Sequence, residues 1–313
     1  MMTRIIRLTP ASNSPLLAAG LPPGPNGSRY SFVECPLCGS ARQRLVYSSI
    51  EPFMRIVRCA DCRLMYQNPQ APETTLSDAH RELEGYLHFQ NQTQDKVALF
   101  RVRIRRFCRR RSLPSTGDFL DIGAGYGAML DAVKQELPGW TCWAVEPSPT
   151  ARDCILGKNY PAVATLDGLG ADKNFDWVNL DNVLEHIPDP LNTLRILRSR
   201  LKPNGFLYVE VPNESLLPIR HRINDFVRGY PKLPTAPGHI TLFTRPTLRQ
   251  MVRAAGYSSL EMWLESVSVQ YRLYATLGLR ATPRVKVVLR FLNLTKLDKI
   301  LGLAYFICCR ARK

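Results

Sequence analysis

Phe119-Leu-Asp-Ile-Gly-Ala-Gly-Tyr-Gly-Ala128 decides the fold. A short apolar strand runs into a glycine-rich turn, and Ala128 to Glu136 continues at helical spacing. The alternation then repeats. Residues 142–145 read as a strand, 149–156 as a short helix and 175–180 as a buried strand. Residues 190–201 read as a helix stopped by Pro203-Asn-Gly205, and 206–211 as another strand. Repeated β-α units of this kind predict an α/β fold with a mostly parallel sheet covered by helices. A helix over 246–255, capped by Gly256, and a final strand over 305–310 extend the pattern.

The turn carries Gly123, Gly125 and Gly127, which let a ligand approach the backbone closely. Gly123-x-Gly125-x-x-Ala128 satisfies the dinucleotide fingerprint as well. Asp121 weighs against that ligand, because a carboxylate just before the first glycine repels a pyrophosphate. S-adenosylmethionine has no phosphate and carries an ammonium and a sulfonium, which a carboxylate suits. Glu146 ends the next strand, where a carboxylate can accept both ribose hydroxyls; it does not separate the two ligands. The bland alternative is a tight β-α connection with no ligand.

Nine cysteines are present among 313 residues. Cys35-Pro-Leu-Cys38 and Cys59-Ala-Asp-Cys62 have the spacing of a four-thiolate zinc site. Four sulfur ligands leave no open position for water, so such a Zn2+ is structural. Redox pairs or unmetallated core cysteines are the alternatives. Cys108, Cys142, Cys154, Cys308 and Cys309 lack ligand spacing and read as buried free thiols. The cysteine pattern favours a reducing cytoplasm over a disulfide framework. No run of 18 apolar residues occurs, which excludes a spanning helix, and the first 20 residues make a poor signal peptide.

Four ordered motifs resemble the class I S-adenosylmethionine-dependent methyltransferases over about residues 118 to 260: Leu120 to Gly127, Val145-Glu-Pro-Ser148, Phe175 to Pro190, and Leu201 to Pro212. The resemblance implies a Rossmann-like seven-stranded sheet whose last strand is antiparallel, here 305–310. A short interfacial membrane anchor at 301–309 is the rival reading of that segment. The resemblance implies a cofactor set of Asp121, Gly123, Gly125, Gly127 and Glu146, with Asp181 near the methionine part and Asp167 at the adenine edge.

The cysteine pairs and His239-Ile-Thr-Leu-Phe-Thr244 narrow the likeness to a bacterial subgroup with an N-terminal zinc module, which includes deoxysugar C-methyltransferases. There a Tyr and a Glu-His pair serve the acceptor. His239 matches the histidine, but Gly238 stands in place of the glutamate. His186, after Glu185 at the exit of the fourth strand, is a second candidate base, with a structural role as the alternative. Ubiquinone-pathway relatives bind a divalent metal through Glu-x-x-Glu-His. Here Asn182 takes the first position, which disfavours a catalytic metal. Tyr230 is a weaker acceptor-side candidate. His80, His88 and His221 get the bland reading.

Lys and Arg total 42 against 26 Asp and Glu, a formal net charge of +16. Such a balance fits a phosphorylated or lipid-linked acceptor, RNA or an anionic membrane surface. The densest basic stretch is 101–111, read as a helix whose Ile104, Phe107 and Val97 face the core while its arginines face out. Arg220, Arg222, Arg228 and Lys232 form a second set, and Arg280, Arg284, Lys286 and Arg290 a third.

The expected organisation is a disordered arm (1–30), a zinc-binding module (31–72), a helical lead-in (73–117), a cofactor-binding core (118–265), a basic helical insert (266–303) and a last core strand (304–313). The expected function is O- or C-methylation of a sugar or related small-molecule acceptor in polysaccharide or secondary metabolism. An RNA methyltransferase and a non-catalytic zinc-stabilised binding protein are the alternatives. The sequence does not give the oligomeric state.

Overall fold

A computed structural model describes residues 5–7, 30–49, 54–70, 93–110, 113–215, 238–265 and 306–313. Most of the proposed arm, the insert 266–303, the second and third basic sets, Tyr230, His80, His88 and His221 lie outside the described residues.

The large sheet has seven strands: β5 (Gly117–Ile122), β6 (Trp140–Val145), β7 (Ala162–Val163), β8 (Phe175–Asp181), β9 (Leu201–Pro212), β11 (Leu260–Glu265) and β12 (Phe306–Arg312). Their spatial order is β11-β12-β9-β8-β5-β6-β7. β5 runs parallel to both β6 and β8, and β8 parallel to β9. β12 is antiparallel to both β9 and β11, as the resemblance implies. Residues 306–312 are therefore strand, with Ile307, Cys308 and Cys309 buried. No helix among the described residues is long and apolar enough to cross a membrane.

Among the described residues, five α-helices flank the sheets: α1 (Thr93–Arg110), α2 (Ala128–Glu136), α3 (Pro149–Gly157), α4 (Pro190–Ser199) and α5 (Arg245–Ala254). Three of them start on the same chemistry. Ser148, Asp189 and Thr244 accept hydrogen bonds from first-turn N–H groups, with a proline at the first or second helical position. α2 differs. Its N-cap is Gly127 in a left-handed conformation with no side-chain cap, so its first N–H groups face the glycine turn uncapped.

One sheet face buries Leu120, Val178 and Leu207 against Leu194 and Leu197 of α4 and Leu248 and Met251 of α5. The other buries Phe119, Trp177 and Phe206 against Ile104 of α1 and Met129 and Val133 of α2. Trp177 is the hub of the second face, with the Phe107, Phe119 and Phe206 rings 5.4, 4.9 and 5.3 Å away. Cys154 is exposed, and Cys108 is half-buried at the margin of the second core, where burial was expected.

A second sheet takes the order β1-β2-β3-β4-β10, from β1 (Ile5–Arg7), β2 (Arg42–Ser49), β3 (Met54–Cys59), β4 (Met65–Gln67) and β10 (Thr241–Leu242). Residues 5–7 of the proposed arm thus pair with β2. β10 comes from far along the chain and adds to β4. Cys35, Leu37, Cys59, Leu64 and Tyr66 share one continuous apolar core with Leu120, Val178 and Phe243. The cysteine module is fused to the large sheet's core.

Candidate functional site

The parallel strands β5, β6 and β8 end at one edge, where open α/β sheets bind ligands. At Gly123 φ is +66°, and an added Cβ would lie 2.6 Å from Val183 Cγ2. Only glycine fits there. Gly125 and Gly127 also take positive φ. The turn is tied to β6: Gly123 N–H donates to Val145 O at 2.8 Å, and Gly125 N–H to Glu146 Oε2 at 2.7 Å. Glu146 Oε1 accepts from Ser148 N–H at 2.8 Å. One carboxylate thus joins the glycine turn to the exit of β6.

Asp121 is buried beneath this turn and accepts from Asn179 Nδ2 at 2.8 Å. Burial pushes its carboxyl up to about 8; Asn179 opposes that, and the charges of Asp181 and Glu146 add to it. Asp167 lies exposed on the 3-10 turn after β7, beyond the same edge.

Asp181 ends β8, and its surroundings correct the outward reading of the α1 arginines. Arg103 points inward, donating to Asp181 Oδ2 at 2.6 Å and to Glu210 Oε1 at 3.0 Å. Tyr208 Oη and Cys308 Sγ donate to Glu210 Oε2 at 2.8 and 3.3 Å. Burial, with Asp181 nearby, pushes Glu210 up to about 7 against the pull of Arg103. Arg101 and Arg105 both bind Glu136 of α2, at 2.6 and 2.7 Å. Much of the dense basic stretch is thus matched to carboxylates of the fold. Sequence reading missed this role of Arg103, yet a signal existed. Phe100, Arg103 and Phe107 fall at helical spacing on one face.

The structure brings His186 and His239 together. Their ring centroids lie 4.7 Å apart, edge to face. Glu185 sits between them, with its Oε1 3.9 Å from Nε2 of each histidine. The Glu185 carboxylate is buried, and neither oxygen has a hydrogen-bond partner among the described residues. Burial pushes its pKa well above the usual carboxylate range, and Asp181, Glu210 and Glu214 push the same way. The Gly238 carbonyl lies 2.9 Å from His186 Nδ1. A carbonyl only accepts, so Nδ1 carries the proton and Nε2 keeps a lone pair towards Glu185. One donor atom from each of Glu185, His186 and His239 falls within 4.8 Å of the others, a set that could hold a metal ion. His239 thereby supplies a third donor that the Asn182 position lacks. Sequence reading weighed the two histidines as rivals and did not place them in one cluster.

The four thiols of Cys35, Cys38, Cys59 and Cys62 also converge within 4.8 Å. Cys35 and Cys62 sulfurs are 3.4 Å apart, and Cys38 and Cys59 sulfurs 3.6 Å. A zinc tetrathiolate with bonds of about 2.3 Å has sulfur–sulfur edges of about 3.8 Å. Hydrogen bonding from Cys35 pulls the Cys62 thiol below its usual range.

A family described as a methyltransferase domain matches residues 86–261, more than half of the chain. Ubiquinone biosynthesis O-methyltransferase of Xanthomonas campestris pv. campestris (strain B100) is 30% identical over 165 residues, 47% of this chain and 67% of that protein. The same enzyme from strain 8004 matches equally. Among solved structures, an S-adenosylmethionine-dependent methyltransferase from Archaeoglobus fulgidus superposes with a TM-score of 0.50 at 22% identity, covering 73% of this chain and 99% of that one.

Proposed function

The chain belongs to the methyltransferase-domain family, as a class I S-adenosylmethionine-dependent enzyme, and from that premise we propose that it O-methylates a hydroxyl of a small-molecule acceptor beside Glu185, His186 and His239. The observation that carries this reading is the buried, unpartnered Glu185 carboxylate with two imidazole Nε2 atoms at 3.9 Å.

In this reading Glu146 takes the ribose hydroxyls, Asp167 the adenine edge and Asp181 the methionine end. Asp121 lies beneath the glycine turn as the carboxylate suited to a cationic ligand. When bound, S-adenosylmethionine supplies an electrophilic methyl group on a sulfonium. Held by Glu146, Asp167 and Asp181, it would supply that methyl group to an acceptor oxygen beside Glu185, His186 and His239, and the carbon–sulfur electron pair would stay on sulfur. The hydroxyl proton passes to an imidazole Nε2, and the imidazolium so formed, 3.9 Å from Glu185, favours the ionised carboxylate against the burial that raises its pKa. The Gly238 carbonyl holds His186 in the tautomer that leaves Nε2 basic.

Two points support O- over C-methylation. The matching relative is named an O-methyltransferase. Gly238 replaces the glutamate of the C-methylating Glu-His pair, and its carbonyl orients His186 instead. An anionic acceptor, such as a phosphorylated or lipid-linked sugar, fits the net charge of +16. An RNA acceptor loses part of its support, because Arg101, Arg103 and Arg105 of the densest basic stretch are paired with carboxylates. Zn2+ in the four cysteines holds the small sheet together.

A second reading places a divalent cation on Glu185, His186 and His239. It is favoured by the two unpartnered oxygens and by His186 Nδ1 facing a carbonyl, as metal-bound histidines commonly do.

Methyl-labelled cofactor, offered nucleotide sugars, phenols and RNA with and without chelator, tests the proposal. Label in a small hydroxylated acceptor, reduced at least about 100-fold by His239→Gln or His186→Gln, supports it. Label in RNA alone contradicts it. Loss of transfer with a weak chelator that leaves the cysteine zinc in place selects the metal reading.

A further inference from the structure

The small sheet reaches the histidine pair through one side chain. The second cysteine turn closes with Cys59 N–H donating to Leu64 O at 2.9 Å. β4 leaves that turn directly and pairs with β10, Tyr66 opposite Thr241 and Met65 opposite Leu242. Gln67 then makes two bonds beyond this ladder. Its backbone N–H donates to Ile240 O at 2.8 Å, and its side-chain Nε2 to His239 O at 3.0 Å.

The opposite flank of residues 238–240 is held by the histidine turn. Ile240 N–H donates to Glu185 O at 2.9 Å, and Gly238 O faces His186 Nδ1 at 2.9 Å. The carbonyls of Gly238, His239 and Ile240 therefore each have a stated partner, and the one on His239 is the Gln67 amide. Any residue at position 67 could give the backbone bond. Only a side-chain donor of that length gives the other. The chain enters His239 from Gly238 at φ +85°, a conformation glycine holds loosely. The Gln67 amide thus helps to hold the backbone from which the His239 imidazole projects.

We infer that Gln67 is a positioning residue for His239, through which the four-cysteine module sets the geometry of the acceptor side. The inference rests on the reading of His239 as an acceptor-side group.

The test uses the full-length, zinc-loaded protein with S-adenosylhomocysteine. Gln67→Met keeps length and removes the donor; Gln67→Lys keeps a donor. Long-range 1H–15N spectra of the imidazoles, assigned with His239→Gln, report the ring. Gln67→Met is expected to shift the His239 cross-peaks while zinc content stays at one per chain and the S-adenosylhomocysteine Kd stays within about twofold. Gln67→Lys is expected to return the cross-peaks towards the wild-type positions. Unchanged His239 cross-peaks in Gln67→Met overturn the inference. So does loss of zinc or of cofactor affinity in that variant, which would make Gln67 a general structural residue. The catalytic reading fails separately, if His239→Gln keeps wild-type methyl transfer, and that result does not alter the spectra.

Discussion

At Gly123 a single hydrogen atom decides whether the cofactor turn can form. Alanine there meets Val183 at 2.6 Å in a left-handed backbone. Gly123→Ala should cost about 1–3 kcal/mol in stability and abolish measurable cofactor binding, readable by thermal denaturation and calorimetry. Asp121 makes the pH prediction. Its folded pKa of about 8 stands above the unfolded value of about 3.9. Between those values the native state keeps a proton that the unfolded chain has lost, so this group's contribution to ligand-free stability falls as pH rises and levels off above 8. Binding of the cationic cofactor should favour the ionised carboxylate. S-adenosylmethionine affinity should therefore rise with pH up to about 8, with proton release seen as buffer-dependent binding enthalpy. An Asp121→Asn variant should lose that dependence; its persistence would assign the proton elsewhere. The turn and its two carboxylates were legible in the sequence because strand, turn and helix follow one another within ten residues. Glu185 between two histidines was not, because His239 arrives from a distant segment.

At the scale of the element, α1 is fastened to the sheet by charge as well as by packing. Arg103 joins Asp181 at the end of β8 to Glu210 in β9, while Ile104 and Phe107 pack on either side. Removing one partner leaves carboxylates uncompensated. Arg103→Ala should therefore destabilise the protein by about 3 kcal/mol. Arg103→Ala together with Glu210→Gln should cost less than the sum of the two single changes, as a double-mutant cycle in denaturant would show. The apolar side of α1 was legible from its helical spacing. The arginine facing inward was not, since composition reads an arginine run as a solvated face. The strands of the large sheet were legible for a similar reason: β8 is largely buried and sets Phe175, Trp177, Val178 and Leu180 within one short stretch. β10 was not, because two residues carry no periodic signal and only its pairing with β4 defines it.

At the scale of the whole molecule, the four-cysteine module and the cofactor sheet form one packed body. Cys35, Cys59 and Tyr66 lie in the same apolar cluster as Leu120 and Phe243. Strong chelation of the cysteine site should lower the melting temperature of the entire protein in one transition; a zinc-dependent step separate from core melting would count against the fused core. The cysteine spacing made the four-thiol cluster legible, but the merging of the cores is a tertiary fact that local pattern does not carry. The proposed cofactor site is built on the glycine turn, Asp121 and Glu146. Calorimetric titration of zinc-loaded protein with S-adenosylhomocysteine, wild type beside Asp121→Ala and Glu146→Ala, tests it most directly. Saturable one-to-one binding, weakened at least about tenfold in each variant, is the predicted result. Absence of binding by folded wild-type protein, or equal binding by all three, would contradict it.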